Sequence, residues 1–498
     1  MILYNLHVFL FFFSLINEFI RTFATSTIKY HFMRKKILTL TVLALGAFST
    51  SFAGGLMTNT NYHIAFDRMM ARGATFDIDA AYSNPAGLAW GHDGFQLSLN
   101  FQKPWQNRDI EASIPGYLGS DFDKKYEGKA SAPIVPALFA AYKKNNIAVS
   151  AMIGIVGSGG FVKYEEGIPM FEAPLRAMLA QSKLMPGSYD YDSEMKGKQY
   201  IYGGQLNLTY QVDDNWSVAA GIRANYYDGY NRGHVVAGLP AYSSVAPGNL
   251  INLQLDCIQR GWGFAPIVSA NYHSGPLTIA TRYEFRTKIS TENDTQKLIV
   301  GMSGQDTDVK ALADMMGTEA TVAALTPALG SMAQKIEGYL PGEKTRYDMP
   351  SLFVAAVGYE FTEKLRATLE YHFFDDKHAK MAGDRQKELK HGTHEIVAGV
   401  EYDINDKFTV SCGGQRTDYG LADGYQQNTS FACDSYSVGL GGAWNINEKI
   451  RLNAGYFMSI YSDYTTGAKA NIYGTPYTGT ETYSRTNYVV GLGIDYKF

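Results

Sequence analysis

The 498-residue sequence has few cysteines, few charges and no series of long apolar runs. Its three cysteines, Cys257, Cys412 and Cys433, exclude a disulfide-rich scaffold and leave at most one bridge. Charged residues make up 18%, below the roughly 25% of ordinary soluble domains. The formal net charge of −4 provides no basic surface for nucleic acid. A mean hydropathy of −0.17 argues against a helical membrane protein, which needs several apolar spans of about 20 residues.

The N-terminus carries the pattern of a secretory signal peptide. A basic stretch at Met33–Lys36 precedes a short apolar region, and Ser51 and Ala53 supply the small residues of a cleavage site. We therefore interpret residues 33–53 as a signal peptide. Residues 1–32 precede this better start, and we expect them to be an upstream extension that is not part of the mature protein.

Tyrosine and glycine are abundant, with 35 and 50 residues. In many segments, apolar residues alternate with polar or small ones at a period of two. At the C-terminus, Tyr488, Val490 and Leu492 alternate with Gly491 and Gly493. The alternating segments run for about 9–12 residues, the length that a tilted strand needs to cross a bilayer. Their polar faces carry arginine, glutamate and glycine, which suit a hydrated lumen.

Fourteen such segments are separated alternately by short turns and long connections, which predicts the fold class. This pattern is typical of bacterial outer-membrane barrels. We predict an all-β, 14-stranded antiparallel transmembrane β-barrel over residues 94–498. The barrel is closed because the backbone N–H and C=O groups of an open sheet edge would have no hydrogen-bond partners in hydrocarbon. Aromatic residues near the short turns predict a girdle at the periplasmic side; they are Tyr210, Trp216, Tyr402, Trp444, Tyr496 and Phe498.

Residues 54–93 do not alternate, and we interpret them as a plug, or hatch domain, because a barrel of this size otherwise leaves an open lumen. The segment contains Arg72-Gly73-Ala74, Asp77 and Asp79, and then Asn84-Pro85-Ala86-Gly87-Leu88. With the barrel pattern and the aromatic C-terminus, this motif resembles the FadL/TodX (OMPP1) family of outer-membrane transporters for hydrophobic compounds. An ordinary turn leading into the first strand is the alternative for the motif.

The resemblance implies passive uptake of long-chain fatty acids or aromatic hydrocarbons. We expect no cofactor, metal or catalytic residue, since the sequence lacks the signature motifs of hydrolases and metal sites. The resemblance implies gating by the hatch at Asn84, Pro85, Ala86 and Gly87. It also implies sideways release at a kink in the third strand, where a glycine-rich stretch contains Gly154, Gly157, Gly159 and Gly160. A flexible transition from strand to loop explains the same glycines.

Two long outer loops, 156–199 and 288–349, contain apolar residues at helical spacing and predict short helices. Either these residues bind the apolar ligand or they form the core of the folded loops. The candidates are Leu175, Met178, Leu179, Leu312, Met315, Met316, Leu325 and Leu329. Arg223, Arg282 and Arg366 lie on predicted inward faces, where they contact a ligand head group or form ion pairs with neighbouring glutamates.

Two other classes of barrel remain as alternatives, a general porin or surface-binding (adhesin) barrel and an outer-membrane hydrolase. His372, Asp375 and His378 offer a general base and an acid at the outer rim, without a nucleophile motif beside them. The expected partners are outer-membrane lipid, lipopolysaccharide and the barrel assembly machinery, and we expect a monomer.

Overall fold

The computed structural model describes residues 57–58, 62–132, 134–239, 248–302, 304–329 and 336–498. The predicted upstream extension and signal peptide lie outside the described residues. Fourteen strands form a closed antiparallel barrel, which confirms the predicted fold class. These wall strands are β1 (Gly94–Ile114), β3 (Val135–Lys144), β4 (Ile147–Tyr164), β5 (Asp190–Gln211), β6 (Trp216–Leu239), β7 (Gly248–Ser274), β8 (Leu277–Glu284), β12 (Leu352–Thr362), β13 (Leu365–Phe374), β14 (Thr393–Asp403), β15 (Phe408–Asp418), β16 (Ser435–Asn445), β17 (Ile450–Tyr461) and β19 (Thr480–Lys497).

The first and last wall strands close the cylinder. Strands β1 and β19 pair along their length, from Gln96 opposite Lys497 to Ser113 opposite Thr480. This pairing satisfies the backbone groups that an open sheet would expose to hydrocarbon. The six predicted short connections are turns of two to four residues.

The apolar side chains of the wall point outward and the polar ones inward. On β5, Leu206 and Leu208 are exposed, whereas Gln205 and Asn207 are buried. This is the reverse of a soluble protein and is the arrangement of a membrane barrel. The predicted aromatic residues near the short turns are exposed except Tyr496, which is half-buried. Among the described residues, no helix combines the length and apolar composition needed to cross a bilayer.

The wall is much taller on one side than on the other. Strands β5, β6 and β7 have 22, 24 and 27 residues, whereas β12 to β17 have 10 to 12. The prediction that 156–199 and 288–349 are entirely loop is therefore wrong in part, because strands continue into both regions. The outer ends of these strands are polar and extend beyond the bilayer, so a prediction based on membrane thickness misses them. The shorter strands are β2 (Phe122–Ser131), β9 (Ser290–Met302), β10 (Gln305–Asp308), β11 (Lys344–Arg346) and β18 (Tyr464–Thr465).

Five α-helices and several 3-10 turns complete the described structure. Helices α3 (Pro169–Gln181), α4 (Val309–Met316) and α5 (Thr318–Leu329) lie in the outer connections, as predicted. Helices α1 (Ile64–Met69) and α2 (Ala80–Ser83) and the 3-10 helix Pro85–Trp90 precede β1. The remaining 3-10 helices are Tyr117–Gly119, Asp376–His378, Ala382–Glu388 and Ile472–Gly474.

Residues 62–90, here called the N-terminal segment, lie inside the barrel. Helix α1 packs against β14 to β17 and β19, and the 3-10 helix Pro85–Trp90 packs against β4 to β7. The N–H of Ile64 donates to Asn100 on β1, and His63 bonds to Asp495 on β19. Because the 3-10 helix contacts β4 to β7 and α1 contacts β14 to β17, the segment spans the lumen between these two parts of the wall.

Candidate functional site: the barrel interior and a gap in its wall

The Asn84–Gly87 motif is attached to the tall side of the barrel by uncharged hydrogen bonds. The Asn84 amide donates to Asn271 Oδ1 at 2.8 Å, and the Ala86 N–H donates to Ser269 Oγ at 3.0 Å. Thr209 donates to the Pro85 carbonyl and Ser217 to the Ala86 carbonyl, both at 2.7 Å. The motif therefore docks on β5, β6 and β7 and is not a free turn leading into β1.

Gly87 is required by a close approach within the N-terminal segment. A Cβ atom at this position would overlap the carbonyl oxygen of Thr75. Pro85 stands at the first position of the 3-10 helix, where its missing N–H costs no hydrogen bond. The motif thus folds the segment back on itself while its polar groups contact the wall.

A buried cluster of charges attaches the other half of the segment to the short side of the barrel. Arg68 donates to Glu401 on β14, to Ser411 on β15 at 2.9 Å and to Asn453 on β17 at 3.3 Å. Glu401 also accepts from Arg366 on β13, at 2.8 Å from Nε. We call Arg68, Arg72, Arg366 and Glu401 the Glu401 cluster, since Arg72 Nη1 lies 4.0 Å from the same carboxylate.

Within the segment, Arg72 is held by acidic residues that the sequence placed close to it. It donates from Nε to Asp79 Oδ2 at 2.7 Å and from Nη2 to Asp77 Oδ2 at 3.0 Å. The next residue, Gly73, donates its N–H to Glu370 on β13. These bonds connect the folding of the segment to its docking on the wall.

Glycines on the short side allow the backbone of α1 to lie directly against the wall. A Cβ on Gly413 or on Gly399 would overlap the carbonyl oxygen of Met69. Gly414, the next residue, has no such neighbour, because its nearest atom is the Ser437 carbonyl oxygen at 3.7 Å. The glycines on the inner face of β14 and β15 therefore accommodate the segment.

The ladder of hydrogen-bonded strands is interrupted at β4. Strand β3 pairs with β4 up to Leu138 opposite Ile153, and β2 pairs with β4 only from Ala130 opposite Val162. Among the described residues, 154–161 of β4 pair with neither strand. On the other side, the pairing of β4 with β5 contains two irregularities, between Ile155 and Gly157 and between Ser158 and Gly160.

The predicted glycines lie in this interrupted stretch. Gly154, Gly157, Gly159 and Gly160 all belong to β4, and Gly160 has a positive φ of 73°. An irregularity at such a glycine bends the strand and redirects its side chains. The stretch thus has one unpaired edge and an irregular pairing along the other.

A cavity of about 100 Å³, here called the wall cavity, joins the lumen to this gap. On the lumen side it is lined by Tyr62 and Asp67 of the N-terminal segment and by Phe457. On the other side it is lined by Ile155, Ser158 and Tyr200. Ile155 and Tyr200 continue the lipid-facing rows of their strands, which contain Ile153 and Tyr202. The remaining lining residues are Gln102, Pro104, Gln106, Ala130, Ala132, Val135, Gly160, Asn487 and Val489.

Two larger cavities lie beside the short turns and are lined mainly by polar and charged groups. One, of about 330 Å³, includes Asp406, Lys407 and Glu448. The other, of about 220 Å³, includes Arg72, Glu360 and Arg366. Asp77 and Arg451 line both. This end of the lumen favours water and small polar solutes over apolar molecules.

The three arginines predicted to contact a head group already have partners. Arg223 is buried and pairs with Glu284. Arg366 binds Asp403 at 2.6 Å as well as Glu401. Arg282 donates to the Tyr82 carbonyl, and its guanidinium lies 5.2 Å from the centre of the Tyr82 ring. The structure thus places all three in contacts that hold the wall or the N-terminal segment.

The apolar candidates of the outer helices divide into a buried and an exposed set. Leu175, Met178 and Leu179 on α3 are buried in the main hydrophobic core. On α4, Met315 is 64% exposed and Met316 is also exposed, while Leu312 and Leu325 are half-buried. The side chain of Leu329 lies outside the described residues. Helix α3 packs on β1 and on Ile472–Gly474, whereas α4 packs on β9 and α5.

The histidine and aspartate residues at the outer end of β13 and β14 are separated. His372 points inward and bonds to Glu370 at 2.9 Å and Glu395 at 3.0 Å. His378 bonds to Asp375 at the rim. Asp376 lies buried behind this rim, where burial raises its pKa to about 7. Among the described residues, no group of histidine, cysteine, aspartate or glutamate side chains is arranged to hold a metal ion. All three cysteines are free thiols.

Sequence reasoning assigned no role to Arg68, Glu401 and Asp67. Arg68 and Glu401 fix the segment to the wall, and Asp67 lines the wall cavity. Arg68 and Asp67 were visible as charges within an apolar stretch that precedes β1. Glu401 was visible as an acidic residue on the inward face of β14. Pairing them required the position of α1 relative to the wall, and that position is a tertiary property.

Solved structures share this fold. A Pseudomonas aeruginosa FadL homologue superposes with a TM-score of 0.63 at 14% identity, covering 89% of this chain and all of that one. The P. putida toluene transporter TodX gives a TM-score of 0.51 at 12% identity, covering 85% and 95%. The deltaS2 mutant of the TodX monoaromatic hydrocarbon channel gives 0.55 at 12%, covering 89% and 99%. The resemblance predicted from the motif is therefore confirmed for the fold. No model of a protein family matches the sequence, and no curated protein matches it.

Proposed function

We propose that the protein carries out passive uptake of hydrophobic molecules across the outer membrane of a Gram-negative bacterium. Molecules are captured at the outer helices, pass into the lumen above the N-terminal segment and leave sideways through the gap at β4. The wall cavity is the observation that carries this proposal, because it is lined by lumenal residues on one side and by lipid-facing residues of β4 and β5 on the other. The similarity in fold to a toluene transporter supports it.

The sideways route is favoured by the free energy of transfer. Returning an apolar chain to water costs about 0.8 kcal/mol for each CH₂ group. The cavities beside the short turns offer charged and polar walls, whereas the wall cavity offers Val135, Ile155 and Val489. A chain leaving through the gap passes from this apolar lining to the hydrocarbon of the bilayer without crossing water.

Capture at the outer surface is supported by the exposed methionines of α4. Met315 and Met316 present flexible, polarizable side chains that adapt to apolar ligands of different shape. The buried residues of α3 instead hold the outer connections together. The N-terminal segment separates this outer space from the polar cavities, and it thereby serves as the hatch.

The experiment that tests the route is to narrow the gap. In Ser158→Trp, a bulky ring stands at the lining of the wall cavity. We expect it to slow uptake of a radiolabelled apolar probe, toluene, by at least fivefold in intact cells. Val149→Trp is the matched control, since Val149 is a lipid-facing residue of the same strand within the paired stretch.

The control is expected to take up the probe at the native rate, and both variants are expected to give native amounts of heat-stable folded barrel. Native uptake in Ser158→Trp at normal barrel levels would refute the sideways route. Equal slowing in both variants would show that the bulk on β4, and not the gap, is responsible.

A further inference from the structure

The polar end of the wall cavity contains an acidic group with unused hydrogen-bonding capacity. Asp67 lies on α1 and is only 2% exposed. Its Oδ1 accepts a hydrogen bond from Gln102 at 3.1 Å, while Oδ2 has no hydrogen-bond partner among the described residues. Burying a polar oxygen without a partner is costly. A group that occupies the cavity and satisfies this oxygen is therefore bound more tightly than one that does not.

A second acceptor lies on the wall of the same cavity. Asn487 on β19 is 5% exposed, and its Oδ1 also has no hydrogen-bond partner among the described residues. It stands opposite Gln106 on β1, which lines the cavity too. Two buried acceptors on different elements thus border one cavity whose other walls include Val135, Ile155 and Val489.

We propose that the wall cavity selects neutral apolar molecules that carry a hydroxyl group, and that Asp67 and Asn487 receive this hydroxyl. A hydroxyl has one proton: it accepts from a protonated Asp67 carboxyl while donating to Asn487 Oδ1, or it donates to Asp67 Oδ2 when that carboxyl is ionised. The inference rests on the proposed function, since it names the class of molecule that the sideways route favours.

A carboxylate head group is disfavoured at this position. An ionised ligand would approach the carboxyl of Asp67 and lose its hydration in a cavity whose other lining residues are uncharged. Two cations lie close by. Arg108 and Arg485 are paired across β1 and β19, two residues along each strand from the pair Gln106 and Asn487. They do not line the cavity, and Arg485 stacks 4.8 Å from the centre of the Tyr461 ring. An anion drawn to this arginine pair is the competing outcome, and the experiment includes it.

The experiment compares four small probes on the purified full chain in amphipol. Displacement of the neutral dye Nile red is measured for 1-octanol, heptyl methyl ether, octanoate and octylamine. Octanol and heptyl methyl ether are isomers, and only octanol has a hydrogen-bond donor. We expect octanol to displace the dye at a concentration roughly threefold to tenfold below that of the ether, the range of one neutral hydrogen bond.

The variant Asp67→Ala is expected to abolish this difference, so that octanol and the ether displace the dye at about the same concentration. Asn487→Val tests the wall side of the site and is expected to reduce the difference without touching α1. Asp375→Ala, at the outer rim, is the matched control and is expected to retain the native ratio. The octanol-to-ether ratio is measured for each protein and then compared between proteins. Partitioning of a probe into the amphipol is the same in every sample and cancels in this comparison.

Three results would overturn the inference. Octanoate displacing the dye at or below the concentration of octanol would assign the polar end to anions and to the arginine pair. Octylamine displacing it more strongly than octanol would assign the end to cations. An unchanged ratio of the octanol and ether concentrations in both Asp67→Ala and Asn487→Val would refute this selectivity without contradicting the proposed uptake. If none of the four probes displaced the dye, the proposed function itself would fail.

Discussion

The two sides of the barrel differ in how they hold together. From β12 to β17 the ladders are short, and their described pairs are continuous except for one irregularity near Thr362. Around β4 the strands are tall, one edge is partly unpaired and two irregularities follow one another. The continuous side carries the buried charges of the Glu401 cluster, whereas the side from β5 to β7 holds the segment by uncharged hydrogen bonds.

The anchor of the N-terminal segment and the exit proposed above therefore lie in separate parts of the wall. Buried ion pairs with several hydrogen bonds are costly to break, and they fix α1 where the sheet is regular. The gap lies where the sheet is least regular, so the proposed exit does not cross the strands that carry the anchor. The wall cavity lies between them, because α1 supplies one of its sides through Asp67.

The largest expected effect comes from breaking the anchor. Arg68→Ala leaves Glu401 buried with fewer partners, and removal of one member of a buried pair costs about 3–5 kcal/mol. We expect the N-terminal segment to undock and the single-channel conductance in planar bilayers to rise severalfold, with the barrel still folded. Arg416→Ala is the control, since Arg416 is an exposed arginine of the same wall that stacks on Tyr436. Native conductance in Arg68→Ala would show that the cluster does not hold the segment.

A smaller effect is expected from changing the surface on which α1 rests. Gly413→Ala introduces a methyl group into the Met69 carbonyl, and such overpacking costs about 1–3 kcal/mol. We expect a lower midpoint of thermal unfolding and an intermediate conductance. Gly414→Ala, one residue away, meets only an ordinary contact and is expected to behave as the native protein. Equal effects of the two alanines would attribute the loss to strand β15 itself and not to docking.

The smallest effect concerns the outer rim of the continuous side. The pKa of Asp376 is raised by burial to about 7, from its ordinary value of 3.8, so the folded rim favours the neutral carboxyl. Its contribution to stability is fully present below about pH 4 and is lost as the pH rises through about 7. Hydrogen exchange of amides 376–393, corrected for intrinsic rates, is therefore expected to be faster at pH 8 than at pH 5. Asp376→Asn is expected to remove this dependence, whereas Asp375→Asn is expected to keep it.

Much of the fold followed from the sequence, because membrane crossing imposes a simple pattern. The alternation of Leu206, Leu208 and Tyr210 with polar residues gives both the strand and its orientation. The outer continuations of β5 to β7 were not predicted, since above the bilayer the outward face no longer needs apolar residues. Arg232 and Asp256 pair on that outer face at 2.7 Å and resemble an ordinary loop in sequence.

The candidate site was predicted less completely. The motif at Asn84 and the glycines of β4 were recognised by residue type, and the structure places both in specific contacts or irregular pairing. The roles of the three arginines depended on their neighbours, which period-two reasoning does not supply. Arg223 illustrates this, because its partner Glu284 lies on a strand that is not adjacent to its own.

The bonds of the N-terminal segment also impose an order on assembly. Residues 62–90 come before every wall strand in the chain, yet His63 and Arg68 are satisfied by Asp495 and Asn453, on strands synthesised near the end. These bonds need the strands near the C-terminus in place, so docking of the segment is completed only together with the last strands of the barrel.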